Sequence, residues 1–79
     1  MAKQVTKFNR LSVVLAELDV SQKELAERLN IERLATVSDW CKNKTQPSIP
    51  TLFDIANALA VDVRRLLEPN TSIDAAKNR

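Results

Sequence analysis

Residues 21–48, SQKELAERLNIERLATVSDWCKNKTQPS, decide the fold. Ser21-Gln22-Lys23-Glu24 opens a helix, because the Ser hydroxyl can accept the amide of the third helical residue while the Glu carboxylate reaches back to the Ser amide. Leu25, Ala26 and Leu29 then share one face. The small Ala26 lets a second helix cross close by, at the roughly 90–120° of two helices joined by a tight turn. Asn30 follows the last apolar residue and suits the left-handed conformation that ends a helix. Ile31 plugs the turn. After Glu32-Arg33-Leu34 a second helix begins, in which Val37 and Trp40 face inward at i, i+3. Its other side carries Ala35, Thr36, Ser38, Asp39 and Lys42, all small, polar or charged. Such a face can approach base edges in a major groove without steric block.

Outward from this centre, residues 7–18 are expected to form the first helix, with Phe8, Leu11, Leu15 and Leu18 as a buried stripe widened by Val14. Asp19-Val20 links it to the Ser21 cap. Residues 42–46 are polar and aperiodic and read as a loop whose exit Pro47 fixes. Ser48 caps a fourth helix, and Pro50 is tolerated in its first turn because no intrahelical amide bond is lost there. Leu52, Ile55, Ala56 and Leu59 repeat at i, i+3, i+4 and i+7, a strong amphipathic pattern. Asp62 caps a short fifth helix carrying Val63, Leu66 and Leu67, which Pro69 stops. The expected organisation is a loose arm over residues 1–6, a domain over 7–68 and a frayed tail over 69–79. The sequon Asn70-Thr71-Ser72 is a chance match.

The spacing of Ser21-Gln22, Glu24-Leu25-Ala26-Glu27, Leu29-Asn30-Ile31, Thr36-Val37-Ser38-Asp39-Trp40, Pro47-Ser48, Leu52, Ile55-Ala56, Leu59 and Val61 resembles the lambda-repressor/Cro-like (XRE) helix-turn-helix family over about residues 9–68. Two departures stand out. Asn30 and Asn43 occupy positions where family members usually have Gly, and this chain has no Gly at all. The segment from Ala26 to Val37 is also one residue longer than the family pattern. The resemblance implies an all-α, compact five-helix domain with helices two and three as the helix-turn-helix. It further implies double-stranded DNA as partner, bacterial or phage origin, and a regulator of transcription, most simply a repressor.

Matching on Val37, the family's base-reading positions fall on Leu34, Ala35 and Asp39, with Arg33 and Thr36 toward phosphate. The insertion leaves Arg33 and Thr36 as alternative base readers. Arg can take guanine through O6 and N7, Asp can accept from cytosine N4, and Ala or a Thr methyl can meet the thymine methyl. Asp39 has a second reading, as an intrahelical partner of Lys42 or Arg33. Gln22, in the first turn of its helix, falls where the family has a phosphate donor, its other reading being a surface Gln that simply favours a helix. Ser38, Lys42, Asn43, Lys44 and Thr45 supply further donors without an acid among them and suit a backbone clamp, which positions the protein but carries no sequence information. Trp40 shares the phase of Val37 and belongs to the core rather than to a stacking surface. Cys41 beside it reads as packing.

Composition agrees with this reading and narrows it. At 79 residues the chain makes one small domain, near the size where a partner or a cross-link helps a single core. One Cys and no His exclude an internal disulfide and argue against a zinc site. No cofactor is expected. Without His, a Gly-rich phosphate loop or a metal-spaced carboxylate cluster, an enzyme is the weakest reading. No apolar run approaches the ~18 residues of a membrane span, so a cytoplasmic protein is expected. The net charge of +2 is small but uneven. Lys3, Lys7 and Arg10 stand together without an acid, as do Lys42 and Lys44, and both groups flank the central motif.

A monomeric helix-turn-helix reads few base pairs, so two copies spaced about one DNA turn, ~34 Å, are expected. Phe53, Ala60, Val63 and Leu67 remain once the core is filled and are the candidate homodimer surface, unless they are simply further core. The alternative function is a protein-interaction module, antitoxin-like or an assembly subunit, in which the same helices grip a toxin or another regulator.

Overall fold

The computed structural model describes residues 7–69. Four α-helices follow one another, α1 (Leu11–Leu18), α2 (Gln22–Arg28), α3 (Leu34–Cys41) and α4 (Ile49–Leu59), and a single 3-10 turn (Val63–Leu66) closes the domain. The architecture is all-α as expected. The fifth helix, however, is a 3-10 turn rather than an α-helix. Only four residues lie between the Asp62 cap and Leu67, whose φ and ψ of −111° and 142° are extended. In a 3-10 turn residues i and i+3 eclipse. Val63 and Leu66 therefore share the inward side, whereas Leu67 leaves it and is exposed. Asp62 accepts the Arg64 amide at 2.8 Å, and hydrogen bonds from the Arg64 side chain hold its carboxyl down at about 2.

Each of α1 to α4 gives one stripe to a common core. Leu11, Val14 and Leu15 come from α1, Leu25 and Ala26 from α2, Val37 and Trp40 from α3, and Leu52, Ile55, Ala56 and Leu59 from α4, with Leu66 below them. The box at the start of α2 is complete, with the Glu24 amide donating to Ser21 Oγ at 3.0 Å and the Ser21 amide to Glu24 Oε1 at 2.9 Å. Ser48 accepts the Thr51 amide at 3.3 Å, and Pro50 sits in the first turn of α4. Pro47 is buried at the loop exit.

The expectation for helix one needs correcting. It starts at Leu11, not near Lys7, and Phe8 is 60% exposed while its neighbour Asn9 is only 4% exposed. The cause is non-local. Asn9 forms an isolated antiparallel bridge with Leu67 near the chain's other end, the Arg10 amide donating to the Leu66 carbonyl at 2.8 Å and the Glu68 amide to the Phe8 carbonyl at 2.9 Å. These bonds hold Phe8 and Asn9 outside the helix, so the helical phase that would bury Phe8 does not apply. Leu18 is also exposed, because Asp19 turns the chain immediately after it.

All four α-helices end in the same way. Asp19, Asn30, Asn43 and Ala60 have φ of 57°, 59°, 60° and 57°. After each, the following amide returns to the carbonyl five residues earlier: Val20 to Leu15, Ile31 to Ala26, Lys44 to Asp39 and Val61 to Ala56. This is the Schellman closure, in which a left-handed residue normally supplied by Gly lets the chain satisfy its last carbonyls. Asn30 and Asn43 make the two bends assigned to them; Asp19 and Ala60 make two more. Val20, Ile31 and Val61 then pack on the core, as the residue after the left-handed one usually does.

Ala60 has no side-chain group to compensate the left-handed backbone, which costs an L-residue roughly 1–2 kcal/mol. Part of a gain at this position is returned as lost Gly entropy, about 0.5–1 kcal/mol. Ala60→Gly is therefore expected to stabilise the domain by up to about 1 kcal/mol, read as a rise in the urea midpoint with an unchanged m-value. A lower midpoint would contradict the assigned backbone.

Candidate nucleic-acid interface

The side of α3 away from Val37 and Trp40 consists of exposed Ala35 and Lys42 and half-buried Ser38 and Asp39. Leu34, the first helical residue, is 45% exposed, and Arg33 precedes it as an exposed N-cap whose side chain makes no cap bond. This arc is free of bulk except at Leu34. Thr36 stands elsewhere. It is half-buried on the wall of an open groove of about 310 Å³ that it shares with Leu29, Ile31, Trp40, Thr51 and Asp54. Thr36 therefore borders the arc on its α4 side instead of lying in its middle.

Gln22 is the first residue of α2 and is half-buried; its amide group has no hydrogen-bond partner among the described residues. Lys42 caps α3, and Lys44 and Thr45 follow in the exposed loop. Asn43 is different. Its Oδ1 accepts the Phe8 amide at 2.8 Å and the Asn9 amide at 3.1 Å, and its Nδ2 donates to the Asn9 carbonyl at 3.1 Å. The side chain offered to the clamp by its sequence position is engaged inward.

Asp39 is partnered, but neither by Lys42 nor by Arg33. Lys44 Nζ lies 4.0 Å from Asp39 Oδ1, both side chains being partly exposed. The Asp39 carbonyl also accepts the Lys44 amide at 2.9 Å. Elsewhere in the domain the residue after the bend is apolar and packs on the core; at the end of α3 an ion pair stands in that place. It leaves Asp39 Oδ2 without an intramolecular partner among the described residues. An exposed pair of this kind contributes no more than about 1 kcal/mol and is readily exchanged for another partner.

The cations divide by position. Arg28 donates to the Ala58 carbonyl at 3.1 Å, Arg64 is paired with Asp62 at 2.9 Å, and Arg65 with Glu17 at 2.7 Å. Lys23, Arg33 and Lys42, which stand on or beside α2 and α3, have no acidic partner within 4.0 Å among the described residues. Positive charge near α3 is thus largely uncommitted, while that near the 3-10 turn is used for structure. Trp40 is buried at 8% exposure and takes no part in the surface. Among the described residues no group of His, Cys, Asp and Glu is placed to hold a metal ion, and no helix is long and apolar enough to cross a membrane.

Of the proposed dimer residues, Phe53 is 52% exposed, Ala60 and Leu67 are exposed, and Val63 is partly packed against the core. Sequence reading passed over Asn9 and Gln46. Asn9 Nδ2 donates to the Trp40 carbonyl at 3.0 Å and to Gln46 Oε1 at 2.7 Å, and its Oδ1 accepts the Leu11 amide at 3.0 Å. The only local mark is Asn9 standing two residues before Leu11, at the start of α1; nothing local marks its long-range bonds or Gln46. The one available signal was Asn at position 43, where a side chain replaces the family's Gly and needs something to bind.

Two short helices joined by a left-handed Asn, with the second helix presenting a small polar face, define a helix-turn-helix domain. The comparison with protein families agrees: the helix-turn-helix model matches residues 14–66. The chain belongs to that family, the XRE-type helix-turn-helix proteins. A crystal structure described as "a putative DNA-binding protein from Bacteroides fragilis" is similar, with a TM-score of 0.72 and 43% identity over 76% of this chain and 95% of that one. No curated protein matches the chain.

Cys41 is half-buried, and burial pushes its thiol above the ordinary value. The thiolate is the reactive form. Alkylation of native protein at pH 8 is therefore expected to run slower than that of free cysteine, with the midpoint of its pH–rate curve displaced upward. Equal rates and midpoints would place the thiol in open solvent.

Proposed function

We propose that this protein binds double-stranded DNA in a sequence-specific manner as a homodimeric transcriptional regulator, most simply a repressor in a bacterial or phage setting. The observation that carries this is the arc of α3, free of bulk apart from Leu34 and bordered by uncommitted cations. In this reading α3 lies in the major groove. Leu34, Ala35 and Asp39 meet base edges, Arg33 reaches either a guanine or a phosphate, and Thr36 touches the sugar-phosphate wall from the arc's border. Gln22 donates to one phosphate, and Ser38, Lys42, Lys44 and Thr45 grip others.

Asp39 discriminates by rejection. A carboxylate facing a polyanion is unfavourable unless a cytosine amine or a cation meets it, and Lys44 supplies the cation until a base does. The similar structure from Bacteroides fragilis supports the DNA reading by its description, and the exposed Phe53, Ala60 and Leu67 support pairing of two copies.

A second reading rests on α4, where Ile49 is 65% and Phe53 52% exposed one turn apart. Such a face also suits a protein partner, as in an antitoxin.

Selection of purified protein against random duplex DNA at two salt concentrations separates these readings. A two-fold symmetric motif is expected, and Gln22→Ala or Arg33→Ala should lower its recovery. With about five phosphates neutralised, log affinity should fall against log salt with a slope of roughly −4 to −5. Retention without any enriched motif would leave an electrostatic binder, and no retention would favour the protein partner.

A further inference from the structure

The helix α3 has eight residues, no side-chain N-cap bond and an apolar inner face that rests on the core through Val37 and Trp40. Apolar packing is non-directional and leaves a short helix some freedom to roll or slide. Hydrogen bonds remove that freedom, because they weaken steeply away from their preferred geometry. The structure supplies them at one end only. Asn9 is the sole buried polar residue among those described, and its Nδ2 reaches the Trp40 carbonyl in the last turn of α3. Asn43, in the left-handed bend just beyond, binds back to the Phe8 and Asn9 backbone through both ends of its amide. Gln46 closes the ring, accepting from Asn9 and donating to Asn43 Oδ1 at 3.0 Å. No buried side-chain polar atom among the described residues is left unpaired.

We propose that Asn9 and Asn43 are positioning residues for base reading: their interlocked amides fix the rotation and depth at which α3 presents its outer arc to DNA. Asn43 accordingly acts inward, not as a phosphate contact. A Gly at position 43 would make the same bend but could not make the lock, since it has no side chain. The choice of Asn at this bend thus couples helix closure to helix placement. The inference rests on the DNA-binding reading above.

Asn43→Gly tests it cleanly, because Gly accepts the positive φ of 60° and the fold should persist. The expected result has two parts. Amide hydrogen exchange in the last turn of α3 should accelerate by about tenfold or more while that of α4 is unchanged. Affinity for the selected duplex relative to a scrambled one should fall about tenfold, comparable to losing one good base contact. The salt slope should stay the same, since Asn carries no charge. Asn9→Ala should act in the same direction, and the double variant should be no worse than the poorer single one, because both break one network.

An unchanged specificity ratio for Asn43→Gly would overturn the proposal, as would unchanged exchange in α3. If the wild-type protein enriches no duplex at all, the DNA reading fails by itself, and hydrogen exchange still decides whether the lock holds α3.

Discussion

Four α-helices of eight, seven, eight and eleven residues leave this domain with a large share of its backbone at helix ends. Each end exposes up to four groups without intrahelical partners, and burying them unpaired is costly. How those ends are closed therefore governs everything else. The chain closes all four C-termini by the same left-handed device, and it does so without a single Gly. Asp and Asn tolerate this backbone because their short polar side chains can bond locally. At Asn43 the bond is instead long-range, so that a closure needed by α3 alone also fastens α3 to the segment before α1.

The same economy shows in the charges. Arg28, Arg64 and Arg65 hold neighbouring segments together, whereas Lys23, Arg33 and Lys42 stand beside α3 or α2 without acidic partners among the described residues. Exposed pairs of the first kind add little to stability. Their stronger effect is on distribution, since a neutralised cation near the 3-10 turn does not compete with the face of α3 for a polyanion. Asp39 and Lys44 form the one ion pair on that face among the described residues, and they stand where the other helix ends have an apolar contact.

Much of this was legible in the chain itself, for a physical reason. The Ser21–Glu24 box, the i, i+3, i+4, i+7 pattern of α4, and the bends at Asn30 and Asn43 are all local signals, and each appears where the residues place it. What misled was also local. Phe8 and Leu18 fit a helical stripe, but Phe8 precedes the helix and its carbonyl is bonded to the Glu68 amide, and Leu18 overhangs a bend. The partners of Asn9 Nδ2 lie 31 and 37 residues away, and a polar residue carries no periodicity by which to find them. For the candidate interface, composition and family pattern indicated the side chains, while only the structure separates outward Ala35 and Lys42 from bordering Thr36 and inward Asn43.

The antiparallel pairing of residues 8–10 with 66–68 has a mechanical side. Phe8 and Glu68 form its outermost bond, and the chain leaves both residues in the same direction. Tension that draws residues 7 and 69 apart therefore loads these bonds one after another, as a zipper opens, instead of together in shear. Asn9 lies directly behind the first bond to part. The same short stretch of backbone thus carries both the closure of the domain's two edges and, through the Phe8 and Asn9 amides, the anchor of Asn43.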